Sequence, residues 1–236
     1  MYRVCVRDGA ARAVDVFAMA DAPTQAEHCP RRVGTFATAC VLVGALLSVL
    51  SMVRHHTFHS AVYDVGIFHQ VLWNTAHGLP FASSLSHMNY LGDHFSPSFG
   101  LLAPLEWLPR TIDLLLIAQA FAVSLTAWNL YRLARRHLSP RGAWLVGLGT
   151  LLCPQLYCPT LADLHPEPFM AVALSYALLA LDVGSFFGAG LWLLLVLGGK
   201  EDAGLLLCPF GIVLALEGRT RRRVRRELVW RGAVGA

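Results

Sequence analysis

The chain has 236 residues, of which 56% are hydrophobic and only 14% are charged, with a formal net charge of +4. Soluble domains usually carry about 25% charged residues, so this composition argues against an ordinary water-soluble enzyme. The six cysteines include no CxxC pair of the kind that structural zinc sites use, and no nucleic-acid-binding motif is present. A membrane protein is the class that this composition favours.

The chain begins with a mixed segment and a first apolar run. Residues 1–32 show no hydrophobic period, and we predict a disordered cytosolic tail. Residues 33–53 carry no charge and are long enough to cross a bilayer, because about 20 apolar residues span its hydrocarbon core. A cleaved signal peptide is the alternative, but both the run and the segment before it are too long. We therefore expect an anchoring helix.

The next stretch, residues 54–96, is rich in histidine and contains no spanning run. Apolar residues recur there at helical spacing, at Val65, Phe68, Val71, Leu72 and Thr75. This pattern predicts an amphipathic helix at the membrane interface. His55 and His59 stand four residues apart, which suits a metal on a helix face, but no third ligand accompanies them at fixed spacing. Residues 97–109 are apolar and broken by prolines, which predicts a half-helix or a re-entrant segment.

Five further apolar runs follow, at residues 111–131, 142–158, 168–181, 183–199 and 203–216. Together with the first run they predict an all-α, polytopic transmembrane helix bundle of about six spans. This domain covers residues 33–217 and includes an outer loop at 54–110. The remaining residues, 218–236, form an arginine-rich tail that we predict to be cytosolic.

Clusters of arginine indicate the orientation of these spans. They precede the first run at Arg31 and Arg32, follow the second run in "RLARRH", and recur in the tail. Cytoplasmic segments carry an excess of Lys and Arg. Six spans that begin in the cytoplasm also end there, so the span count agrees with the arginines. We expect a multi-pass protein of the cell membrane with cytoplasmic N- and C-termini, whose basic tail contacts anionic lipid rather than nucleic acid.

This topology places the compact polar clusters on the outer side. They are Asp64; Asp93 and His94; Asp163, His165 and Glu167; and Lys200, Glu201 and Asp202. Ionisable groups at membrane depth usually face a cavity or a partner because their burial in lipid is costly. Simpler roles are also open, since Asp64 could cap a helix and residues 200–202 could form an ion-paired turn. The functional alternative is a general base at Asp64 and a lysine that meets a phosphate.

Five strings in this order resemble a known family: "YDVGIFHQVLWNTAHGLPFASSL", "NYLGDHFSPSFGLLAPL", "LYRLARR", "DLHPEPF" and "KEDAGLL". They resemble the bacterial and archaeal predicted membrane proteins known as domain of unknown function 2079, over roughly residues 63–216. Members of that family are generally longer, so the resemblance also predicts that this chain is a truncated copy.

That family is similar to the C-type glycosyltransferases, polytopic enzymes that use polyprenyl-phosphate sugars and keep an essential acid in the first outer loop. The resemblance implies that Asp64 is this acid, with Asp93 as a second catalytic candidate. It implies a polyprenyl-phosphate-sugar donor, whose leaving phosphate would be stabilised either by Lys200 or by a divalent cation, Mg or Mn, held by Asp93 and the other acids. The residues expected to bind substrate are His94, His165, Glu167, Lys200, Glu201 and Asp202. A transporter or permease and a non-catalytic membrane scaffold remain alternative functions.

Overall fold

The computed structural model describes residues 30–60, 63–85 and 89–216, with side chains from Gly34 onward. Its helices are α1 (Pro30–His56), α2 (Tyr63–Ala76), α3 (Tyr90–Asp93), α4 (Thr111–His137), α5 (Pro140–Leu151), α6 (Pro154–Ala162), α7 (Glu167–Asp182), α8 (Phe186–Leu197) and α9 (Ala203–Leu216). A 3₁₀ segment, Pro97–Trp107, lies between α3 and α4. These described residues contain no strand, which confirms the all-α prediction for them. The predicted tails, residues 1–32 and 218–236, lie outside the described residues, except that α1 already begins at Pro30.

Three segments are long and apolar enough to cross a membrane: Gly34–His56, Thr111–His137 and Pro140–Ala162. The third is not the single helix predicted for residues 142–158, because it breaks at Leu152 and Cys153. Pro154 begins α6 there, and a proline at this position cannot continue the hydrogen bonding of α5. The helices α7 and α8 are shorter than a typical span, as is the described part of α9. The described residues thus contain three helical segments of spanning length, and the predicted count of about six spans is not confirmed.

The two longest helices are antiparallel and define the two ends of the bundle. Near the start of α1, the ring of Phe36 stacks on that of Tyr131 near the end of α4, with centroids 4.2 Å apart. At the other end of both helices, Nε2 of His56 lies 2.8 Å from Oδ1 of Asp113. We call the first the aromatic end and the second the cavity end.

The later helices alternate between these ends. The C-terminal part of α6 reaches the cavity end, where Ser51 donates a hydrogen bond to the carbonyl oxygen of Thr160 at 2.8 Å. The helix α7 runs back to the aromatic end, where Asp182 pairs with Arg136 of α4 at 2.9 Å. After α8, the backbone carbonyl of Gly198 accepts a bond from the Ser98 amide at 2.7 Å. The turn that follows α8 therefore lies at the cavity end.

Rings and charges fill the aromatic end. Phe36 is fully buried and touches the rings of Trp128, Tyr131 and Trp144. Arg136 and His137 both contact Asp182. These basic residues belong to the last turn of α4, which extends to His137, six residues beyond the predicted end of this span. A cationic last turn is favoured by the helix dipole, so the "RLARRH" segment is helical rather than a loop.

The amphipathic helix predicted for this stretch is present as α2. Its apolar residues are buried against α4, the 3₁₀ segment and the α6–α7 loop; they are Val65, Phe68, Val71 and Leu72. Its opposite face includes Trp73, which is exposed. The proline-broken stretch forms the 3₁₀ segment. Both elements cover the cavity end of the bundle.

Candidate functional site

Four stretches of chain that are distant in sequence surround one cavity of about 240 Å³ at the cavity end. Its lining comprises Tyr63, Asp64, Ile67, Phe68, Tyr90, Asp93, His94, Ser96, His165, Pro166, Glu167 and Lys200. Six of the eight predicted site residues are among them. Three carboxylates and a single ammonium line this space, which leaves an excess of negative charge when the histidines are neutral.

The two predicted catalytic acids, Asp64 and Asp93, both line this cavity. Asp64 is the second residue of α2, where a carboxylate is favoured by the positive end of the helix dipole. Asp93 is the last residue of α3 and is exposed. Within the described residues, neither carboxylate takes part in a hydrogen bond or an ion pair. Both are therefore open to a ligand.

Lys200 and Glu167 form the strongest contact in the lining. The Lys200 ammonium donates to Oε1 of Glu167 at 2.7 Å, and Nδ1 of His165 lies 3.9 Å from the other carboxylate oxygen. Burial is the largest influence on the pKa of Glu167 and raises it, but the bond from Lys200, backbone hydrogen bonding and the charges of Lys200 and His165 together outweigh burial and leave this pKa below its usual value. The same bond raises the pKa of Lys200. Both groups are therefore charged at neutral pH.

His94 lies at the mouth of the cavity and pairs with a residue that does not line it. Its Nδ1 is 3.1 Å from Oε1 of Glu201, and about half of each side chain is exposed. Backbone hydrogen bonding, followed by this contact, lowers the pKa of Glu201. Asp202 is also exposed and lies outside the lining. The structure thus gathers six predicted residues around the cavity and leaves Glu201 and Asp202 outside it.

Three polar residues of the lining were not predicted from the sequence: Tyr63, Tyr90 and Ser96. Tyr90 is 3% exposed, and its burial, with neighbouring carboxylates adding to the effect, raises its pKa to about 12. Its phenol therefore stays protonated and can donate a hydrogen bond at neutral pH. Its position three residues before Asp93 is the sequence signal that could have identified Tyr90. Ser96 is fully buried, but it makes no capping bond to the 3₁₀ segment.

A buried acid, Asp163, lies behind the cavity. It is 2% exposed; Oδ1 accepts a bond from the Leu164 amide, and Oδ2 has no hydrogen-bond partner within the described residues. Burial, with a contribution from the nearby Asp64 charge, raises the pKa of Asp163. The sequence showed this residue as one of a polar cluster but did not assign it a role.

A glutamine in α4 fixes this loop. Gln119 is fully buried; its amide nitrogen donates to the carbonyl oxygens of Thr160 and Asp163, at 3.2 and 2.9 Å. Its amide oxygen accepts from the His165 backbone at 2.6 Å. The backbone that carries His165 and Glu167 is therefore tied to a spanning helix. A single glutamine inside an apolar run gave no sequence signal for this role.

The structure does not form a cage for a metal ion. Within the described residues, no group of three or more His, Cys, Asp or Glu side chains is placed to hold one. The predicted pair of His55 and His59 does not share a helix face, since α1 ends at His56, and His59 contacts the Thr57 hydroxyl instead. His55 lines a second cavity at the same end, with His56, His69 and Arg110. The divalent cation is therefore not supported by the donor set.

A helical chain with three segments of spanning length, and with a polar cavity at one end of its bundle, is an integral membrane protein. A family model described as "Predicted membrane protein (DUF2079)" matches residues 54–235. The chain belongs to this family, which confirms that part of the resemblance. No curated protein and no solved structure matches the chain.

Proposed function

We propose that this protein is a membrane glycosyltransferase-like enzyme that transfers a sugar from a polyprenyl-phosphate donor to an acceptor hydroxyl. The observation that supports it is the convergence of Asp64, Asp93, His165, Glu167 and Lys200, from four stretches of chain, on one cavity. Two acids that have no partner among the described residues, and one ammonium in the same small space, are the groups that such a transfer needs.

Asp64 is the general base in this proposal. Its carboxylate takes the proton of the acceptor hydroxyl as that oxygen attacks the anomeric carbon of the sugar. The bond from that carbon to the phosphate oxygen breaks, and the phosphate leaves with the bonding electrons. One displacement inverts the anomeric centre. Asp93 orients the acceptor, because it is the second carboxylate in the lining without a partner among the described residues.

Lys200 neutralises the charge that develops on the leaving phosphate. It is the single Lys or Arg in the cavity lining. Glu167 holds it in place before the donor binds. His94 and His165 hydrogen-bond the sugar, and Glu201 orients His94. No step passes through a metal, and Asp202 has no role in this mechanism.

The proposed orientation places the cavity end outside the cell membrane and both termini in the cytoplasm, with six crossings. The alternation of the described helices and the arginines in the sequence support it. Topology reporters fused near Gly78, near Ser139 and after Arg231 should report outside, inside and inside. An inside signal near Gly78 would contradict the proposal, because the cavity would then face the cytoplasm.

The mechanism is tested by Asp64→Asn, which keeps the shape of the side chain and removes the base. Transfer of sugar from a polyprenyl-phosphate donor should fall by about 10²–10⁴-fold, the usual contribution of a general base. The matched control is Asp182→Asn at the aromatic end, which should retain transfer. Full activity of a folded Asp64→Asn variant would exclude the mechanism. Flux of a solute in proteoliposomes without any transfer would favour the permease instead.

A further inference from the structure

An apolar groove adjoins the polar cavity. It has a volume of about 170 Å³ and lies between the 3₁₀ segment, α7 and α8. Its walls include Phe99, Phe169, Val172, Ala173 and Trp192. Polar groups contribute almost nothing to its surface, so it is suited to hydrocarbon. The proposed transfer reaction does not by itself account for this space.

The groove and the cavity meet along a short boundary. Pro166 lines both of them, and the consecutive residues Gly199 and Lys200 line the groove and the cavity respectively. The bond from the Ser98 amide to Gly198 fixes this turn against the 3₁₀ segment. A molecule with a charged head at Lys200 can therefore place an attached chain directly in the groove.

Charge determines which part of the cavity can take an anionic head. Asp64 and Asp93 have no cationic partner among the described residues and repel a phosphate. Lys200 is the cation of the lining and stands at the boundary with the groove, where its ammonium is paired with Glu167 until a phosphate takes the place of that partner. An anion is therefore held at the groove side of the cavity, and the side that carries the two aspartates is left for the acceptor.

The walls of the groove are narrow and firmly supported. The rings of Phe99 and Phe169 meet edge to face, with centroids 6.1 Å apart, and Trp192 stacks on Tyr176 at 4.6 Å. Gly199 packs closely against Met170 at one side of the groove, since a Cβ on Gly199 would collide with Met170. The groove volume of about 170 Å³ favours one hydrocarbon chain over two.

We infer that the groove between the 3₁₀ segment, α7 and α8 binds the hydrocarbon chain of a single-chain lipid phosphate whose phosphate lies at Lys200. The inference rests on the proposed function, since it assigns the lipid part of the donor to a place in the molecule. It adds selectivity: a one-chain phosphate binds, and a two-chain phospholipid with the same headgroup does not.

The test measures binding and requires no sugar transfer. The protein, in phosphatidylcholine nanodiscs, is titrated with farnesyl phosphate, with farnesol and with phosphatidic acid. Farnesyl phosphate should bind at least about tenfold more tightly than either of the others, because only it combines one chain with a phosphate. Equal binding of phosphatidic acid would overturn the single-chain inference, and equal binding of farnesol would overturn the role of Lys200.

Val172→Trp fills the groove from α7, and it should weaken farnesyl phosphate binding by at least about tenfold. Its matched control is Leu178→Trp on the same helix, at a position that does not line the groove. Gly199→Ala, whose added methyl collides with Met170 in the groove wall, should also weaken binding and provides the test if Val172→Trp does not fold. Unchanged affinity in the folded groove variants would overturn the inference.

These results also separate the inference from the proposed function. If farnesyl phosphate binds and Val172→Trp weakens binding, but no sugar is transferred, the groove is established and the glycosyltransferase proposal fails. If sugar is transferred and the groove variants bind as the parent protein does, the transfer proposal stands and the groove inference fails.

Discussion

The two ends of the bundle use similar residues for opposite purposes. At the aromatic end, Asp182 pairs with both Arg136 and His137, and only 14% of its side chain is exposed. At the cavity end, Asp64 and Asp93 line an open space and pair with no described residue. The first arrangement stabilises helix ends, and the second leaves carboxylates available. The state of pairing, rather than the presence of charge, thus distinguishes the candidate site from a structural contact.

Packing differs between the ends in the same way. Four aromatic rings occupy the aromatic end, around the fully buried Phe36. At the cavity end, two polar cavities and an apolar groove interrupt the packing. We therefore expect stability to depend mainly on the aromatic end, and binding on the cavity end.

The largest effect on stability is expected from Phe36→Ala. In water-soluble cores this change costs about 3–5 kcal/mol, part of which is transfer out of water. Unfolded helices stay in lipid, so only the packing part is lost, and we expect about 2 kcal/mol. Thermal unfolding in detergent, followed by tryptophan fluorescence, measures it. Phe95→Ala, at an exposed position of the cavity end, is the control; an equal loss there would remove the difference between the ends.

A gain in stability is expected from Asp163→Asn. Burial raises the pKa of this acid above the ordinary value of 3.8, so the folded protein binds its proton more tightly than the unfolded chain does. The stabilisation that comes from this tighter proton binding is complete below pH 3.8 and is lost as pH rises through the folded pKa. The asparagine variant should be more stable by about 1–2 kcal/mol at pH 7–8, and the difference should vanish below pH 4.

The control for this prediction is Asp93→Asn, whose carboxylate lines the same cavity but is exposed. It should stay within about 0.5 kcal/mol of the parent protein at every pH. The measurement is the unfolding temperature across pH 3–8. A pH-independent gain for Asp163→Asn would show that burial of its charge is not the cause.

A smaller loss is expected from Lys200→Met, which removes the partner of Glu167. The pKa of Glu167 is below its usual 4.5 and that of Lys200 is above its usual 10.5. The ion pair therefore stabilises the folded protein between pH 4.5 and pH 10.5. This stabilisation is lost as pH falls through the folded pKa of Glu167 or rises through that of Lys200. We expect about 1 kcal/mol at pH 7, because both side chains are about one-third exposed.

The same unfolding measurement at pH 3 and pH 7 tests this loss, with the exposed Asp202→Asn as the comparison. A loss that persists undiminished at pH 3 would show that Lys200 acts through packing rather than through the ion pair.

Much of the fold could be predicted from hydrophobic runs, since α1, α4 and α2 appear where the patterns place them. The helix ends could not, because proline at Pro154 and the cationic last turn of α4 shift them by several residues. Counting apolar runs also overestimates the number of spans, because helices such as α8 end before they reach spanning length.

The candidate site was predictable to the extent that its residues cluster in the sequence. Asp64, Asp93 and Lys200 carried a signal because they interrupt apolar or glycine-rich stretches. Glu201 and Asp202 share that signal with Lys200 but do not line the cavity, and spacing alone could not separate the three. Asp163 acquires its properties from burial against other elements, and burial of this kind is not visible in a local pattern.

Gln119 also affects which positions of the chain can tolerate substitution. It binds backbone atoms of residues 160, 163 and 165, and none of their side chains. Substitutions in that loop therefore leave the three bonds in place. Gln119 itself has no substitute that both donates to two carbonyls and accepts from an amide at the same reach: glutamate lacks the donor, and leucine lacks both functions. Tolerance to mutation is thus lower at one position inside an apolar helix than in the polar motif that this helix supports.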